Sequence, residues 1–546
     1  MEPRTHDIVI LGGGLAGLTL ALQLKQRLPE LDVLVIERRS HPVPHAAHKV
    51  GESSVEIAAH YFGKVLGLEA YLKEKQLKKF GFRFFFSEGA PGLEDVTELG
   101  ASTFLPTPSW QLDRGIFEND LGVLARERGI AFVDGATVRE FTLGDGTAPH
   151  RVDYQDAGGM HPVQARWLVD ASGRAGLVKR RLGLAEPNDH DVNAVWFRIG
   201  ERIDVDDWSV DREWLARCDP PNRWLSTNHL VGEGYWVWLI PLASGSHSVG
   251  IVADPAFHPL ESMNTFEKAM TWLERYQPRL HQDLQGRRGA LQDFAFFRHF
   301  SYGCRQVLDG NARWALTGEA GLFLDPFYSP GGDFIAISNT YITELVVQDR
   351  AGKRIAPYAD IYQRIYFSFY EAMLPIYAGQ YGLFGDPEVL PVKVLWDYTY
   401  YWGVLCQLFF QQRLTDLNAI GRLQKPLANA RALNVEMQKF LRSWGELSER
   451  RNPRRLLDQA SLPWFAELNR GLADELDDAA FRQRMHETFG QLAALAGQIV
   501  ARALETHPAL DGAAVLALLD ADAQRDHESM LFARQGRSQP GNPPSP

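Results

Sequence analysis

The chain has 546 residues, with 57 Lys and Arg against 68 Asp and Glu, so its formal net charge is −11. A hydrophobic fraction of 45% is ordinary for a globular protein. It excludes a disordered chain, a collagen-like chain and a small disulfide-stapled module. The acidic total argues against nucleic acid as a main partner, because phosphate binding favours a basic surface. The three cysteines lie far apart in sequence, so we predict neither a redox pair nor a metal site.

The N-terminal residues do not have the pattern of a targeting segment. Met1 to Asp7 is mostly polar, and the apolar run Ile8 to Leu11 leads directly into glycines. No stretch reaches the roughly 18 apolar residues that a membrane span needs. The few cysteines fit a reducing compartment. We therefore expect a cytoplasmic protein without a membrane span.

The first secondary-structure elements in the chain form a strand, glycine turn, helix and strand. Residues 7–37 contain "DIVIL", then "GGGLAGLTLALQLKQRL" with helical apolar spacing, then the apolar run "DVLVIE". This order predicts the beginning of a βαβ unit, and hence an α/β domain at the N-terminus.

The rest of the chain changes character twice. Aromatic and β-branched runs at about 80–110 and 190–300 predict an antiparallel sheet inserted between pieces of the nucleotide-binding domain. We assign residues 1–345 to this combined module and 346–534, where amphipathic stretches dominate, to a mostly helical C-terminal region. The Pro- and Gly-rich end, 535–546, is predicted to be a disordered tail.

The glycine turn has the spacing of a dinucleotide-binding motif. Gly12 allows the tight turn, Gly14 lets a pyrophosphate approach the backbone, and Gly17 lets the helix pack on the strand. The pyrophosphate would lie at the helix N-terminus. Glu37 ends the second strand, where an acid can accept hydrogen bonds from a ribose.

Three later segments favour FAD over NAD. "SWQLDRGIFENDL", with Arg114 and Leu121, resembles a stretch of the aromatic-hydroxylase type of flavoprotein. "WLVDASGRAG", with Asp170 and Gly173, resembles the second signature of that type. "WALTGEAGLFLDP" resembles its flavin segment, with Glu319 at a position where Asp is usual. The resemblance implies that Glu319 holds a hydroxyl of the ribityl chain.

Two further motifs resemble the flavin-dependent halogenases, in particular the tryptophan and phenol halogenases. "WVWLIP" at 236–241 matches W-x-W-x-I-P, and "FLDPFYSPG" at 323–331 matches F-x-x-P-x-x-S-x-G. "KVGESSV" at 49–55 resembles the strap segment beside the flavin. Trp236 and Trp238 could equally be two core aromatics on one strand face. Their pairing with the second motif favours the halogenase interpretation.

The resemblance implies a reaction and its cofactors. Reduced FAD, O2 and chloride or bromide would give hypohalous acid, which a lysine holds or captures beside an aromatic substrate. A separate flavin reductase would supply the reduced flavin. The pattern Lys-x-Gly-apolar-x-Phe fits Lys79 and not Lys78, so we predict that Lys79 is the catalytic residue.

Two departures from the family bear on the substrate. Tryptophan halogenases carry a Glu directly before the motif serine, and here that residue is Tyr328. Tyrosine is no general base at neutral pH. An electron-rich ring that activates itself, such as a phenol, is therefore predicted over free tryptophan. Pro330 lacks an N–H, so a halide contact would come from Gly331 or a neighbour.

The C-terminal region contains tyrosines at helical spacing from Tyr358 to Tyr381. This stripe either packs against the flavin domain or forms a wall for a bulky aromatic substrate, which could be bound to a carrier protein. Three other functions share parts of the pattern. They are an aromatic monooxygenase, a flavin reductase of the isoprenoid-saturating type, and a flavin-binding protein without catalysis.

The sequence thus predicts four groups of site residues beside Lys79. The cofactor group is Gly12, Gly14, Leu15, Ala16, Gly17, Glu37, Arg38, Ser53, Arg114, Val138, Asp170, Glu319, Gly331 and Gly332. The halide and flavin loop is Ser329, Pro330 and Gly331. The halogenase motif is Trp236, Trp238 and Pro241. The substrate pocket is Tyr328 and Phe82, and no metal ligand is predicted.

Overall fold

The structure is a computed structural model, and it describes residues 3–46, 50–519 and 529–533. The predicted tail, 535–546, lies outside the described residues. Two eight-stranded sheets and a set of helices organise the described chain.

The first sheet has a parallel centre. Its strands run in the order β18-β19-β10-β1-β2-β7, while β9 pairs antiparallel with the first half of β10, and β8 pairs with β9. The second half of β1 is fully buried, as expected for a parallel strand with both faces covered. The bounds are β1 (Arg4–Leu11), β2 (Val33–Ile36), β7 (Ala131–Val133), β8 (Thr137–Thr142), β9 (His150–Asp156), β10 (Gly159–Asp170), β18 (Leu308–Asp309) and β19 (Trp314–Leu316).

The second sheet contains the inserted strands. Its order is β16-β12-β15-β14-β13-β4-β5-β20. Most pairings are antiparallel, as predicted, but β4 with β13 and β5 with β20 are parallel. The bounds are β4 (Phe82–Phe85), β5 (Glu98–Gly100), β12 (Asn193–Ile199), β13 (Thr227–Gly232), β14 (Tyr235–Pro241), β15 (His247–Ala253), β16 (Leu291–Phe297) and β20 (Leu456–Asp458). The C-terminal region therefore contributes one strand to a sheet that we expected from residues before 300.

Two short ribbons complete the strands of the described chain. One pairs β3 (Leu77–Lys78) with β6 (Trp110–Gln111), and the other pairs β11 (Ala185–Glu186) with β17 (Gly303–Cys304). The first ribbon leads directly into the residue predicted to be catalytic, because Lys79 follows β3.

Sixteen α-helices surround the sheets in the described residues. Their bounds are α1 (Leu15–Arg27), α2 (Glu56–His60), α3 (Glu69–Lys75), α4 (Arg114–Glu127), α5 (Leu177–Arg181), α6 (Arg212–Leu215), α7 (Phe266–Tyr276), α8 (Pro278–Gln285), α9 (Gly331–Arg350), α10 (Ala356–Tyr377), α11 (Val389–Tyr400), α12 (Gln407–Phe410), α13 (Leu417–Leu447), α14 (Pro463–Arg470), α15 (Asp478–Thr506) and α16 (Ala513–Leu516). Helix α9 packs on α1 and runs through residue 345, so the chain passes from the first module to the helical region without a break.

The first half of the tyrosine stripe packs against the flavin-side module. On α10, the Tyr362 ring stacks on Tyr341 of α9, with centroids 4.8 Å apart, and Tyr366 meets Phe334 edge-on. These contacts bury the aromatic face of α10 and fix its direction. This part of the stripe therefore packs against the flavin domain, the first of the two alternatives. The end of α10 lies beside a small cavity described below.

A buried ion cluster joins β5 to the segment before β13. Glu98 pairs with Arg83 and accepts from Arg223 Nε at 2.8 Å, and Arg223 also donates to Asp206 at 2.9 Å. Arg83, Glu98 and Arg223 are each 0% exposed. Removing one partner from such a cluster leaves a buried charge uncompensated, which typically costs about 3–5 kcal/mol.

Candidate active site

A cavity of about 410 Å³ lies at the carboxyl end of the parallel strands. This edge is where open α/β sheets bind ligands, because loops and helix N-termini converge there. Most of the predicted cofactor and motif residues line the cavity, namely Gly12, Gly14, Leu15, Ala16, Glu37, Arg38, Ser53, Arg114, Trp236, Trp238, Glu319, Ser329, Pro330, Gly331 and Gly332.

The glycine turn has no room for side chains at two positions. Gly12 has a φ of +113°, and a Cβ there would lie 2.4 Å from the Ala171 carbonyl oxygen. A Cβ on Gly17 would lie 2.0 Å from the Gly12 carbonyl oxygen, so Gly17 serves helix packing and does not line the cavity. Helix α1 begins after Gly14, where no side chain of the described residues caps it. Its first N–H groups are therefore available to a phosphate.

Glu37 stands directly after β2 at the edge of the cavity. One carboxylate oxygen accepts from the Gly13 N–H at 2.7 Å, and the other accepts from the Arg39 N–H at 2.8 Å. Each oxygen can accept a second hydrogen bond, so the carboxylate can still receive ribose hydroxyls. The turn, the acid and the cavity together fit the adenosine and pyrophosphate of FAD.

Arg114 and Glu319 lie in the cavity wall with partners of their own. Arg114 Nη1 donates to the Val50 carbonyl at 2.8 Å, and the guanidinium pairs with Glu118. Glu319 pairs with Arg174 Nε at 3.0 Å. The longer Glu side chain thus reaches a cation of the same wall, and its contact with a ribityl hydroxyl stays a prediction.

Besides Gly17, two predicted cofactor residues lie outside the cavity lining. Asp170, at the end of β10, accepts hydrogen bonds from the N–H and hydroxyl of Ser172 and from the Val178 N–H. Its carboxylate therefore shapes the turn that carries Ala171 and Ser172 into the cavity. Val138 lies in β8 and does not line the cavity.

The motif tryptophans form a buried wall of the cavity. Trp236 Nε1 donates to the Tyr381 hydroxyl at 3.0 Å, and Trp238 Nε1 donates to Ser248 Oγ at 3.1 Å. Both indole N–H groups are thus satisfied inside the protein. Pro241 ends β14 and lies beyond the lining, where Ile240 is the last residue of the strand to reach it.

The second motif forms the loop before α9. Ser329 adopts a φ of +55°, which is uncommon for a residue with a side chain. Pro330 then precedes the first helical residue, Gly331, and no described side chain caps this helix start. The N-terminal end of α9 faces the same cavity as that of α1, so two helix dipoles favour negative charge there.

Lys79 lies behind the cavity wall and is 4% exposed. Its Nζ donates to Ser53 Oγ at 2.8 Å and to the Ser54 carbonyl at 3.1 Å. The ammonium also lies 3.4 Å from the centroid of the Phe82 ring. Ser53 lines the large cavity, so this one residue separates the cavity from the lysine. Lys78, its neighbour, is exposed.

The surroundings of Lys79 shift its pKa and the pKa values of two neighbouring carboxyl groups. Burial lowers the pKa of Lys79 to about 7, against the opposing attraction of Glu56 and Asp333. Burial raises the pKa of Asp333 to about 8 and raises the pKa of Glu56. A lysine poised near neutrality can serve either as an ammonium donor or as an amine.

Two small cavities lie on the lysine side. One, of about 10 Å³, is lined by Lys79, Glu56 and Tyr398. The other, of about 30 Å³, is lined by both predicted substrate-pocket residues, Tyr328 and Phe82, together with Tyr398. Tyr398 lines both small cavities, so the lysine and the predicted pocket residues are neighbours.

Several residues around Lys79 were not predicted from the sequence. Glu56 follows the strap segment directly, and Asp333 follows the glycine pair of the second motif, so both motif edges carried a usable signal. Tyr398 and Tyr401 belong to a second aromatic run, at residues 396–402, which follows the tyrosine stripe. No pattern in the sequence pointed to His229. It lies stacked on Phe84, and burial lowers its pKa to about 3, so it is neutral.

Known proteins resemble this chain in both sequence and fold. The model of an FAD binding domain matches residues 5–246. The flavin-dependent halogenase chlA of Dictyostelium discoideum is 29% identical over 373 residues, covering 62% of this chain and 60% of that relative. The 1H-pyrrole-2-carbonyl-(peptidyl-carrier protein) brominase of Pseudoalteromonas luteoviolacea is 28% identical over 340 residues, covering 61% and 75%.

A solved structure covers more of the chain. Halogenase PltM in complex with phloroglucinol and FAD superimposes with a TM-score of 0.64 at 18% identity, covering 90% of this chain and 96% of that one. The parallel sheet, the glycine turn and the cavity define an FAD-binding flavoprotein. Within that class, the chain is similar to flavin-dependent halogenases. The predicted fold class and the predicted resemblance to flavin-dependent halogenases are confirmed.

Two further kinds of feature are absent from the described residues. None of the helices described is both long and apolar enough to cross a membrane. No group of three or more potential metal-ligating side chains occurs in that part of the chain.

Proposed function

We propose that this protein is an FADH2- and O2-dependent halogenase of an electron-rich aromatic substrate, acting through hypohalous acid and Lys79. One observation supports this most directly. A buried lysine with a near-neutral pKa stands one serine away from the FAD cavity and beside an aromatic-lined cavity.

The cavity residues hold the cofactor. Gly12, Gly14 and Glu37 receive the pyrophosphate and ribose, while the start of α9 at Gly331 faces the flavin end. Reduced FAD, when bound, supplies the two electrons that activate O2 towards halide. The helix N-terminus beside Ser329 provides N–H groups and a dipole for a halide ion.

Lys79 handles the oxidant on the other side of Ser53. As an ammonium it donates a hydrogen bond to the oxygen of hypohalous acid, and as an amine it can form a haloamine. Either form fixes the halogen beside the ring and raises its electrophilicity. The burial that lowers the pKa of Lys79 to about 7 keeps both forms accessible.

The substrate we propose is phenol-like, and it can be carrier-bound. Tyr328 stands where the tryptophan halogenases carry Glu, and burial followed by the charge of Asp397 raises its pKa well above 10. The ring must therefore bring its own activation. The relatives include enzymes named for pyrrole on a peptidyl-carrier protein, which supports a tethered electron-rich ring.

We further propose a separate flavin reductase as partner, since the sequence has one dinucleotide motif. The decisive experiment combines the protein, FAD, a reductase, NADH, O2 and bromide with phenols, indoles and pyrroles, and identifies products by mass spectrometry. Bromide-dependent addition of bromine supports halogenation. Addition of oxygen without bromide would favour the monooxygenase, and no O2-dependent turnover of any ring would refute both.

A further inference from the structure

A buried polar network holds the hydroxyl of Tyr328. The Tyr328 O–H donates to Asp397 Oδ2 at 2.9 Å. Asp397 lies on α11 and also accepts from Lys393 Nζ at 2.6 Å and from Gln438 Nε2 at 2.7 Å. Lys393 donates in turn to Gln438 Oε1 at 2.8 Å. No motif of the sequence pointed to Asp397, Lys393 or Gln438.

The network fixes which way the phenolic proton points. Three donors converge on the Asp397 carboxyl, and only an ionised carboxylate accepts all three without giving up an oxygen to its own proton. Burial raises the pKa of Asp397 and lowers the pKa of Lys393, but the 2.6 Å contact between the two side chains opposes both shifts and keeps the carboxylate ionised. Burial and Asp397 both raise the pKa of Tyr328, so its single proton stays on the bond to Asp397.

The remaining capacity of the Tyr328 oxygen is therefore acceptor only. Tyr328 and Asp397 line the small cavity that also contains Phe82. The Phe82 ring lies 6.0 Å from the Tyr328 ring and 3.4 Å from Lys79 Nζ, so the lysine and the tyrosine border the same side chain. Met373 also lines this cavity, and its flexible side chain is the natural one to move when a ring enters.

We propose that the Tyr328 oxygen accepts a hydrogen bond from an O–H or N–H group of the substrate, and that Asp397 is the positioning residue that enforces this direction. The inference rests on the proposed function and deepens it. It selects rings that carry a donor, such as phenols or N–H pyrroles, over ring analogues in which a methyl group replaces that hydrogen. A Glu at position 328 could accept in the same way, but Tyr328 does so only because Asp397 holds its proton.

The same bond favours reaction as well as binding. When the ring carbon attacks the halogen, the carbon–halogen bond forms, the halogen–oxygen bond breaks, and positive charge develops on the ring. The substrate O–H or N–H then becomes a stronger donor, so its hydrogen bond to Tyr328 strengthens in the transition state. The hydroxide released from hypohalous acid takes a proton from the Lys79 ammonium and leaves as water. The ring C–H proton then passes to the lysine amine. The sum is ring plus hypohalous acid giving halogenated ring plus water.

The test is a competition within one reaction. Pyrrole competes with N-methylpyrrole, and phenol with its O-methyl ether, with bromide and a flavin reductase present. Each product ratio is divided by the ratio that free hypobromite gives in buffer, which removes intrinsic reactivity. We expect a normalised preference of about tenfold for each donor-bearing ring, the value of one good hydrogen bond. Tyr328→Phe and Asp397→Asn should each reduce that preference to within about twofold of unity.

A structural role would give a different result. It would lower total turnover and leave the ratio unchanged, because both substrates compete for the same folded molecules. Tyr362→Phe, on α10 and away from both small cavities, is the matched control and should keep the preference of the unmodified protein. The unmodified protein alone already tests the idea should a variant fail to fold.

Two outcomes separate the two levels of the proposal. Absence of any halogenated product from the unmodified protein would overturn the proposed function and this inference with it. Halogenation with a normalised ratio near one, or a ratio that survives both Tyr328→Phe and Asp397→Asn, would overturn this inference alone.

Discussion

Replacing Lys79 by methionine separates the two halves of the proposed reaction. Methionine keeps much of the length and apolar volume of the lysine stem and removes the ammonium. We expect halogenation to fall by about a hundredfold to a thousandfold, as for loss of a group that acts on the reacting atoms. O2 consumption by the reduced flavin should continue, because the FAD cavity and Lys79 come from different segments, with Ser53 between them.

The stability of this variant follows from the burial of Lys79. Lowering its pKa from 10.5 to about 7 corresponds to a folding cost of about 5 kcal/mol at and below neutral pH. The lost hydrogen bonds to Ser53 and Ser54 offset about 3 kcal/mol of that cost. Lys79→Met should therefore be at least as stable as the unmodified protein near pH 7.

The stability of Lys79→Met relative to the unmodified protein depends on pH. The unfolded lysine binds a proton up to its ordinary pKa of 10.5, whereas the folded one loses it near 7. Between these values the unfolded state binds more protons, so the unmodified protein gains stability as the pH rises. The difference in melting temperature between Lys79→Met and the unmodified protein should shrink from about pH 6.5 to about pH 9.

The assay combines product mass, an oxygen electrode and thermal melting, with Lys78→Met as the matched control. Lys78 is exposed, with its Nζ 4.6 Å from the centroid of Phe104, so its replacement should leave all three readings near normal. Normal halogenation by Lys79→Met together with its loss in Lys78→Met would refute the assignment. A variant that melts lower than the unmodified protein at neutral pH would refute the burial argument.

Three further changes test the cofactor site and the fold. Gly12→Ala should abolish FAD binding, measured by flavin fluorescence, because its Cβ would meet the Ala171 carbonyl and φ is positive. The purified protein should keep its bound FAD oxidised when NADPH is added alone, followed by absorbance, because the sequence has one dinucleotide motif and no recognisable second one. Glu98→Gln should lower stability by about 3–5 kcal/mol, measured by chemical denaturation, because Arg83 and Arg223 lose their buried anion.

Each of these three has an opposite outcome that would count against its reasoning. Tight FAD binding by Gly12→Ala would mean that the turn relaxes around a Cβ. Rapid bleaching of the flavin by NADPH alone would reveal a second nucleotide site. Unchanged stability of Glu98→Gln would mean that the remaining amide satisfies both guanidinium groups.

The local patterns of the sequence predicted most of the cofactor cavity. A βαβ unit is identified by hydrophobic periodicity and glycine spacing within about 30 residues. Both can be recognised in a single sequence. Gly12, Gly14 and Glu37 accordingly lie where the motif predicts. The motif match identified Trp236 and Ser329 as site residues. Local periodicity alone would have assigned Trp236 to the core and Ser329 to a loop.

The network behind Tyr328 could not be predicted in the same way. Asp397 and Lys393 are four residues apart on a helix, a spacing that usually marks an exposed ion pair. Their burial depends on α13 packing against α11, with Gln438 of α13 bonded to both side chains, which is a property of tertiary packing. Val138 shows the reverse case, since a position predicted for cofactor binding lies in a strand away from the cavity.

The strand β20 has a consequence for recombining such enzymes. It hydrogen-bonds along β5, and the Asp458 carboxylate also accepts from the backbone and hydroxyl of Ser102, near the loop that carries Leu105 over Lys79. Residues some 350 positions apart thus share one sheet edge. A chimera that exchanges the helical region between homologues would inherit a foreign strand at that edge and shift the loop above the lysine. Crossover points that keep 98–109 and 456–469 from the same parent should preserve turnover where a cut at residue 345 alone would not.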